Sequence, residues 1–508
     1  MREAKTSRAA GGRRVVGALA SGVMLAALFP KIALSPLAWV ALVPLILVAR
    51  AAPRPRAAAV YGLLTGVLFF AVLVEWIRLF DPTGTAWVVA TLLEAAFVAL
   101  FAALVRALSP SPRGWRGVLV PAAAWTATEW LRALGPLGFT WGGLAYSQHA
   151  NLALAQVVSL VGTGGLTFLI ALVNAALAAV LAEGARDRRQ GVLRLGVAVA
   201  LVLAGWGWGR WRLAQPLPEG ERLRVALIQG NLGDEGDRHT PVRPDHAPVY
   251  LRLTEAAAQR GAQLVIWPES AIPGALLVNP ALADTRAAIA QAARRHRLNV
   301  VVGSAHVEEG RSLNATFLFN REGHVAGRYD KVHLVPYGEY TPFRRQLDFL
   351  YRHFPVIDHE FSSGRGFFPL PADTGPLGMA ICFESAFPSI TRALRREGAD
   401  LLAVVTNDAW FGRRSATWQH YHMARFRAIE SGTYLVRAAT TGFTAVLDPF
   451  GRVVQEAPLF RRTLLVADVA RLPRPTLYTR LGDVVAWACA LAILGLLVAW
   501  RRQRPPSG

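Results

Sequence analysis

Cysteine and charged residues are both scarce in this chain of 508 residues. Two cysteines, Cys382 and Cys489, are too few for a disulfide framework or a zinc cluster. Because Cys489 lies in an apolar run near the carboxyl end, Cys382 is the cysteine left for chemistry. Charged residues make up 18% of the chain and hydrophobic residues 53%, which is too apolar for an ordinary soluble enzyme. A membrane protein is therefore expected.

The net charge of +21 raises the possibility of a nucleic-acid partner. The basic residues, however, form short clusters between apolar stretches and do not follow one helix or tail. This pattern is typical of membrane topology. We therefore expect no nucleic-acid partner.

Apolar runs divide the chain into a membrane part and a soluble part. A helix that crosses the hydrocarbon core needs about 20 apolar residues. Runs near this length lie at 15–30, 32–49, 58–79, 85–108, 117–134, 152–182, 192–210 and 483–500. They predict a multi-pass α-helical membrane domain of about eight transmembrane helices, seven of them in residues 1–214 and the last in 476–508. Residues 215–475 have the polar, Gly and Pro content of a folded soluble domain.

The distribution of Lys and Arg predicts the orientation in the membrane, because basic loops stay on the cytoplasmic side. Alternate loops are basic, whereas those between them carry little more than Lys31, Arg78 and Arg132. This places both termini in the cytoplasm and residues 215–475 in the periplasm of a Gram-negative cell, with the protein in the inner membrane.

Three carboxylates, Glu75, Glu94 and Glu129, fall in or near the apolar runs. An intramembrane carboxylate is expensive and is a functional candidate by default. A structural role, with a polar partner inside the bundle, is the favoured interpretation, and a role with substrate stays open.

The soluble part alternates short apolar runs with helical patterns. Helices are predicted at about 245–261 and 280–297. Buried strands are predicted at Leu223–Gln229, Gln263–Trp267, Asn299–Ser304, Thr316–Asn320, Leu377–Cys382, Leu401–Thr406, Thr433–Ala438 and Thr444–Leu447. This alternation indicates an α/β layered domain, with catalytic groups at strand ends.

Three strand ends or turns carry a chemically coherent set of residues: Glu269, Lys331 and Cys382. A cysteine attacks a carbonyl as thiolate and needs a base, which Glu269 can supply. Lys331 and the backbone amide after Cys382 can stabilise the oxyanion of a tetrahedral intermediate. Taken singly, each residue has an ordinary alternative as a core residue or a solvated charge.

Taken together with their flanks WPES, YDKVHLVPYGEY and GMAICFES, these residues resemble the nitrilase superfamily over about 222–468. The resemblance implies an αββα sandwich with a Glu–Lys–Cys triad. It also implies that Glu339, in PYGEY, holds the lysine and the proton relay in place.

The soluble part between membrane helices resembles the apolipoprotein N-acyltransferase family. Matching segments are QGN, HLVPYGEYTPFR, NDAWFG and QHYHMARFRAIE. The resemblance implies that Cys382 takes an acyl chain from a phospholipid and passes it to the α-amine of a diacylglyceryl-cysteine apolipoprotein. Glu269 would be the base in both halves of the reaction. No cofactor or metal is implied.

Several residues near the triad are candidates for supporting roles. Phe383, Tyr340 and Trp410 are candidates for an apolar entrance, with core packing as the alternative. Asn407 and Trp410, in NDAWFG, are predicted to contact substrate. Glu384 either orients the site or binds the amine, with a surface role as its alternative.

The sequence departs from the family pattern at three places. The loop at 231–243 has no aromatic residue where the family usually has a tryptophan, Phe383 stands where tyrosine is common, and Thr441 stands where asparagine is frequent. We expect altered substrate contacts with the triad intact. The stretches 232–248 and 343–368 are predicted to be mobile loops that gate the site.

Two other functions compete with acyl transfer. A membrane-anchored amidase would pass the thioester to water, and a non-catalytic scaffold or transporter would carry an inactive enzyme fold. The intact triad disfavours the scaffold, and more helices than an anchor needs favour a lipid substrate.

Overall fold

The structure is a computed structural model that describes residues 2–80, 83–184, 187–232, 246–344, 346 and 360–503. The chain folds as two compact units. The first comprises Met1–Gln215 and Leu481–Gly508, and the second comprises Pro216–Arg480. We call them the helical unit and the soluble unit.

The helical unit consists of apolar helices joined by short connections. Its helices are α1 (Arg2–Ala27), α2 (Val43–Ala51), α3 (Pro55–Leu73), α4 (Thr85–Leu108), α5 (Arg116–Arg132), α6 (Leu152–Ala155), α7 (Val158–Ala182), α8 (Arg188–Ala214) and the carboxyl-terminal helix Val484–Arg502. Among the described residues, five helices are long and apolar enough to cross a membrane: α3, α4, α7, α8 and Val484–Arg502. Several apolar helices could therefore span a membrane, and the count of eight stays a prediction.

The apolar run at 32–49 does not form one continuous helix. It forms a 3-10 helix at Ser35–Trp39 and then the nine-residue helix α2. Pro36 and Pro44 lie in the first turns of these elements, where a missing backbone N–H costs little. The two prolines were the signal in the sequence for this break.

Two of the three carboxylates in the apolar runs have polar partners inside the helical unit. Glu94 is buried and pairs with Arg132 at 3.1 Å. Glu129 accepts hydrogen bonds from the Leu144 backbone N–H at 2.9 Å and the Thr167 hydroxyl at 2.7 Å. The expected polar partner inside the bundle is present for both residues, and a role with substrate stays open. Glu75 begins the 3-10 helix Glu75–Leu79.

The soluble unit is built on two β-sheets. The strands are β1 (Glu221–Gln229), β2 (Leu264–Ile266), β3 (Ile272–Ala275), β4 (Asn299–Glu308), β5 (Arg311–Phe319), β6 (Val325–Asp330), β7 (Leu370–Ala372), β8 (Gly375–Ile381), β9 (Leu401–Thr406), β10 (Leu435–Ala439), β11 (Ala445–Leu447), β12 (Val453–Glu456) and β13 (Thr463–Arg471). The first sheet has the order β13-β1-β2-β4-β5-β6, with β3 also paired to β4, and the second has the order β12-β11-β10-β9-β8-β7.

Helices cover the sheets, because the buried strands are apolar on both faces. The helices α9 (His246–Gln259) and α10 (Ala283–His296) pack on the first sheet in one core that includes Trp267 and Phe317. The second sheet contacts α11 (Pro388–Arg396) and α12 (Ser415–Ser431), and α13 (Leu477–Leu481) follows. The two sheets meet through β1 and β10. The predicted αββα sandwich is confirmed.

The parallel strands determine where the site forms. β1, β2 and β4 run parallel in the first sheet, as do β8, β9 and β10 in the second. The carboxyl ends of parallel strands lie at one edge of a sheet, where ligands usually bind in open α/β sheets. Glu269 follows β2, Cys382 follows β8 and Asn407 follows β9.

Candidate active site

The structure brings Lys331 between two carboxylates. Its Nζ lies 2.8 Å from Oε2 of Glu339 and 3.7 Å from Oε1 of Glu269. Lys331 directly follows β6 and is 1% exposed. Burial opposes its charge, but the Glu339 and Glu269 carboxylates outweigh this effect and raise the pKa of the ammonium above its usual range. The lysine therefore stays protonated at neutral pH.

Cys382 directly follows β8 and is the first residue of the 3-10 helix Cys382–Ala386. Its φ of 52° is in the left-handed region, which is unfavourable for a residue with a side chain. The residue is half-buried. Burial and Glu269 raise the pKa of this thiol above its usual range, whereas Lys331 lowers it. The resting thiol is therefore neutral and needs a base to become a nucleophile.

The two carboxylates are held by a shared amide and by backbone N–H groups. Nδ2 of Asn314 donates to Oε1 of Glu269 and to Oε1 of Glu339, at 2.8 Å each. The backbone N–H of Asn407 donates to Oε2 of Glu269 at 2.7 Å, and that of Val335 donates to Oε2 of Glu339 at 2.8 Å. Both carboxylates therefore have a fixed orientation.

Glu384 is fully buried, which excludes the surface role considered for it. It accepts hydrogen bonds from the backbone N–H groups of Ile381 and Val332, at 2.8 Å each, and from the Tyr329 hydroxyl at 3.0 Å. Burial raises its pKa to about 7, although these backbone bonds act in the opposite direction. Glu384 thus joins the segment after the lysine to the strand end before Cys382.

The residues predicted to contact substrate differ in exposure. Phe383 is buried and packs against Phe387 with ring centroids 5.0 Å apart, as expected for core packing. Trp410 is 45% exposed, and Tyr340 and Asn407 are half-buried. Trp410 and Tyr340 therefore remain the accessible apolar candidates among the predicted residues.

Sequence reasoning missed four buried polar residues close to the triad: Asn314, Asp408, His420 and Arg437. Asn314 and Arg437 each interrupt an apolar strand, β5 and β10 respectively, and a polar residue at a buried strand position was the available signal. Asp408 and His420 belong to the segments NDAWFG and QHYHMARFRAIE, which had been noted only for their resemblance to the family.

Most of the two stretches predicted to gate the site lie outside the described residues. This applies to residues 233–245 in the first stretch and to 345 and 347–359 in the second. The contribution of the loop without an aromatic residue, 231–243, therefore stays a prediction.

Comparisons with known proteins identify the family of this chain. Residues 224–472 match the carbon-nitrogen hydrolase family, and residues 21–176 match the apolipoprotein N-acyltransferase N-terminal domain. The apolipoprotein N-acyltransferase of Geobacter metallireducens is 36% identical, over 96% of this chain and 95% of that protein. The chain belongs to the apolipoprotein N-acyltransferase family. The apolipoprotein N-acyltransferase of Gloeobacter violaceus is 34% identical, over 97% of this chain and 95% of that protein.

Among solved structures, Saccharomyces cerevisiae Nit3, a nitrilase-superfamily member, is 18% identical with a TM-score of 0.38, covering 51% of this chain and 93% of that chain. An amidase from Nesterenkonia sp. is 22% identical with a TM-score of 0.40, covering 53% of this chain and 97% of that chain. Membership of an acyltransferase family confirms that the chain is an enzyme of this class.

Proposed function

We propose that this enzyme transfers a fatty acyl chain from a membrane phospholipid to the α-amine of a diacylglyceryl-cysteine apolipoprotein, through a thioester on Cys382. This would be the last step of lipoprotein maturation. One observation carries the proposal: a buried Lys331 lies between Glu269 and Glu339 in a site whose cysteine needs a base. The names of the relatives, which are apolipoprotein N-acyltransferases, support an apolipoprotein as the acceptor.

In the first half-reaction, the sulfur of Cys382 attacks the ester carbonyl of the phospholipid and Glu269 takes the thiol proton. The Lys331 ammonium and the backbone N–H after Cys382 stabilise the oxyanion. The tetrahedral intermediate collapses, the ester C–O bond breaks, and Glu269 returns the proton to the departing alkoxide. The products are a lysophospholipid and the thioester.

In the second half-reaction, the α-amine of the acceptor attacks the thioester carbonyl. Glu269 takes a proton from the amine and gives it to the leaving sulfur as the C–S bond breaks. An amide forms and the Cys382 thiol is regenerated. One carboxylate thus serves both halves, so its fixed orientation by Asn314 and Asn407 matters in each.

The remaining predicted residues take supporting roles in this scheme. Glu339 holds the ammonium of Lys331 at 2.8 Å, and Glu384 fixes the chain segments that carry Lys331 and Cys382. Trp410 and Tyr340 offer accessible aromatic surface for the acyl chains.

The proposed setting is the bacterial inner membrane, with the soluble unit in the periplasm and both termini in the cytoplasm. The alternation of basic loops supports this orientation. Both substrates carry long acyl chains that would aggregate in water, so a multi-pass helical unit has a physical purpose. A water-using amidase has no need for a helical unit of this size.

Mass spectrometry of the purified protein in phospholipid tests the mechanism. We expect an acyl mass addition on Cys382 in the wild type and none in Cys382→Ser. Adding a diacylated lipopeptide should remove the adduct while the peptide gains the same chain.

Two results would count against the proposal. A folded wild type that forms no adduct excludes the thioester mechanism. An adduct that decays to free fatty acid at the same rate with and without lipopeptide supports the amidase.

A further inference from the structure

A row of buried polar side chains adjoins Cys382 and has no part in the proton transfers described above. Arg437, Asp408 and His420 each have 0% exposed surface. Nη2 of Arg437 donates to Oδ2 of Asp408 at 2.8 Å, and Oδ1 of Asp408 lies 3.2 Å from Nδ1 of His420. On the other side of its ring, Nε2 of His420 lies 3.0 Å from the backbone carbonyl oxygen of Cys382.

The groups around His420 favour the tautomer with a proton on Nε2. A carbonyl oxygen only accepts, so Nε2 bonds to Cys382 when it carries the proton, and Nδ1 then accepts from Nη2 of Arg437, which lies 3.1 Å away. Nε2 also lies 2.8 Å from Oγ of Ser385, whose hydroxyl donates to the same carbonyl at 2.9 Å. Ser385 donates to the carbonyl directly, and the single Nε2 proton is shared between the carbonyl and Oγ of Ser385, so both side chains hold the carbonyl of Cys382.

The backbone at Cys382 needs such support. A residue with a side chain keeps backbone angles in the left-handed region, as Cys382 does, only where the surrounding contacts stabilise them. Burial raises the pKa of Asp408, but Arg437 and His420 outweigh burial and keep the pKa below its usual range. Asp408 is thus a buried anion, and Gly442 leaves room for it, since a Cβ there would lie 2.3 Å from Oδ2.

The same segment also holds the base. Asn407, which precedes Asp408, donates its backbone N–H to Glu269 at 2.7 Å. Thr406 donates its hydroxyl to Asp408 at 2.8 Å, and Asp408 in turn contacts His420, which reaches Cys382. Three consecutive residues after and at the end of β9 therefore link the base to the nucleophile.

We propose that the chain Arg437–Asp408–His420, with Ser385, positions the nucleophile: it fixes the carbonyl of Cys382 so that the sulfur faces Glu269 and the incoming acyl carbonyl. His420 acts through Cys382 and is a positioning residue. The inference rests on the proposed function, because it takes Cys382 as the residue that is acylated.

Two substitutions of His420 separate its two contacts. In His420→Gln, the side-chain amide nitrogen replaces Nε2 and keeps a donor for Cys382. In His420→Asn, the amide nitrogen replaces Nδ1, keeps a partner for Asp408 and loses the bond to Cys382. The two variants therefore form a matched pair, and the full-length protein in phospholipid is used throughout.

The rate at which acyl adduct forms on Cys382 is measured by quenched mass spectrometry, together with the midpoint of thermal unfolding. We expect His420→Asn to slow adduct formation by about 10- to 100-fold, because small misplacements of reacting groups cost this much. His420→Gln should stay within about threefold of the wild type, since it keeps the bond. The two unfolding midpoints should agree with each other.

Equal rates in the two variants would overturn the positioning role, whether both are slow or both are normal. If His420→Asn does not fold, Ser385→Ala tests the same positioning role. We expect adduct formation about 3- to 10-fold slower in Ser385→Ala, with an unchanged unfolding midpoint. An unchanged rate of adduct formation overturns the proposal. A wild type that forms no adduct contradicts the proposed function, which is a separate result.

Discussion

The charge state of Cys382 depends on neighbours that act in opposite directions. Burial and the Glu269 carboxylate raise the pKa of the thiol, and the Lys331 ammonium lowers it. Since the thiolate is the nucleophile, each neighbour can be tested by the pH at which the cysteine becomes reactive.

Glu269→Gln should make Cys382 react with iodoacetamide at lower pH than in the wild type, because the substitution removes a negative charge and lowers the pKa of the thiol. Lys331→Met should move the profile to higher pH. Alkylation at Cys382 is followed by mass spectrometry, which separates it from Cys489. The same Glu269→Gln variant should lose about 10²- to 10⁴-fold in acyl transfer. An upward or absent shift in Glu269→Gln would contradict the electrostatic account.

Single residues differ in how far the sequence could reveal them. Glu269, Lys331, Cys382 and Glu339 stand in segments that resemble a known family, and the structure brings all four together. Asn314 contacts both carboxylates only because β5 pairs beside β4, and no local pattern shows such a contact.

At the level of elements, β4 packs closely against the segment that carries the proposed base, Glu269. A Cβ at Gly303 would lie 2.2 Å from the Pro268 carbonyl oxygen and 2.8 Å from Cα of Glu269. The strand can therefore pass the Glu269 segment only because it has no side chain at this point.

Gly303→Ala should push the Glu269 segment away from Lys331. We expect a loss of about 1–3 kcal/mol in the free energy of unfolding, the usual cost of overpacking, and a fall in acyl transfer. The control is Val307→Ala on the exposed end of the same strand, which should stay within about 0.5 kcal/mol of the wild type. Chemical unfolding in detergent and the adduct assay measure both effects. An unchanged free energy of unfolding in Gly303→Ala would contradict this prediction, because it would show that the Glu269 segment accommodates the added methyl group.

The predicted strands are apolar and mostly buried on both faces, as in β2 and β9. The strands that were not predicted are less buried. β12 is exposed along its whole length, β6 is mostly exposed or half-buried, and β13 alternates. Their pairing depends on neighbours that are distant in sequence, so hydropathy alone could not find them.

At the scale of the whole molecule, the proposed orientation rests on the basic loops and can be tested by labelling. In a protein whose Cys382 and Cys489 are changed to Ser, single cysteines are introduced by Glu322→Cys in the soluble unit and Gly184→Cys after α7. Both positions are exposed.

A membrane-impermeant maleimide should label Glu322→Cys in cells whose outer membrane alone has been opened. Gly184→Cys should be labelled only after the inner membrane is lysed, because its loop is basic and is proposed to be cytoplasmic. The reverse pattern would place the soluble unit in the cytoplasm and contradict the proposed orientation.

The pairing of β1 with β13 brings the two ends of the soluble unit together. Glu221 lies opposite Arg471 in antiparallel register, although 250 positions separate them in sequence. Opposed residues in such a ladder have Cα atoms roughly 5 Å apart, so the chain enters and leaves the soluble unit at nearly one point. A module with adjacent ends can be inserted into a connection, excised with a short linker, or circularly permuted without redirecting the flanking chain.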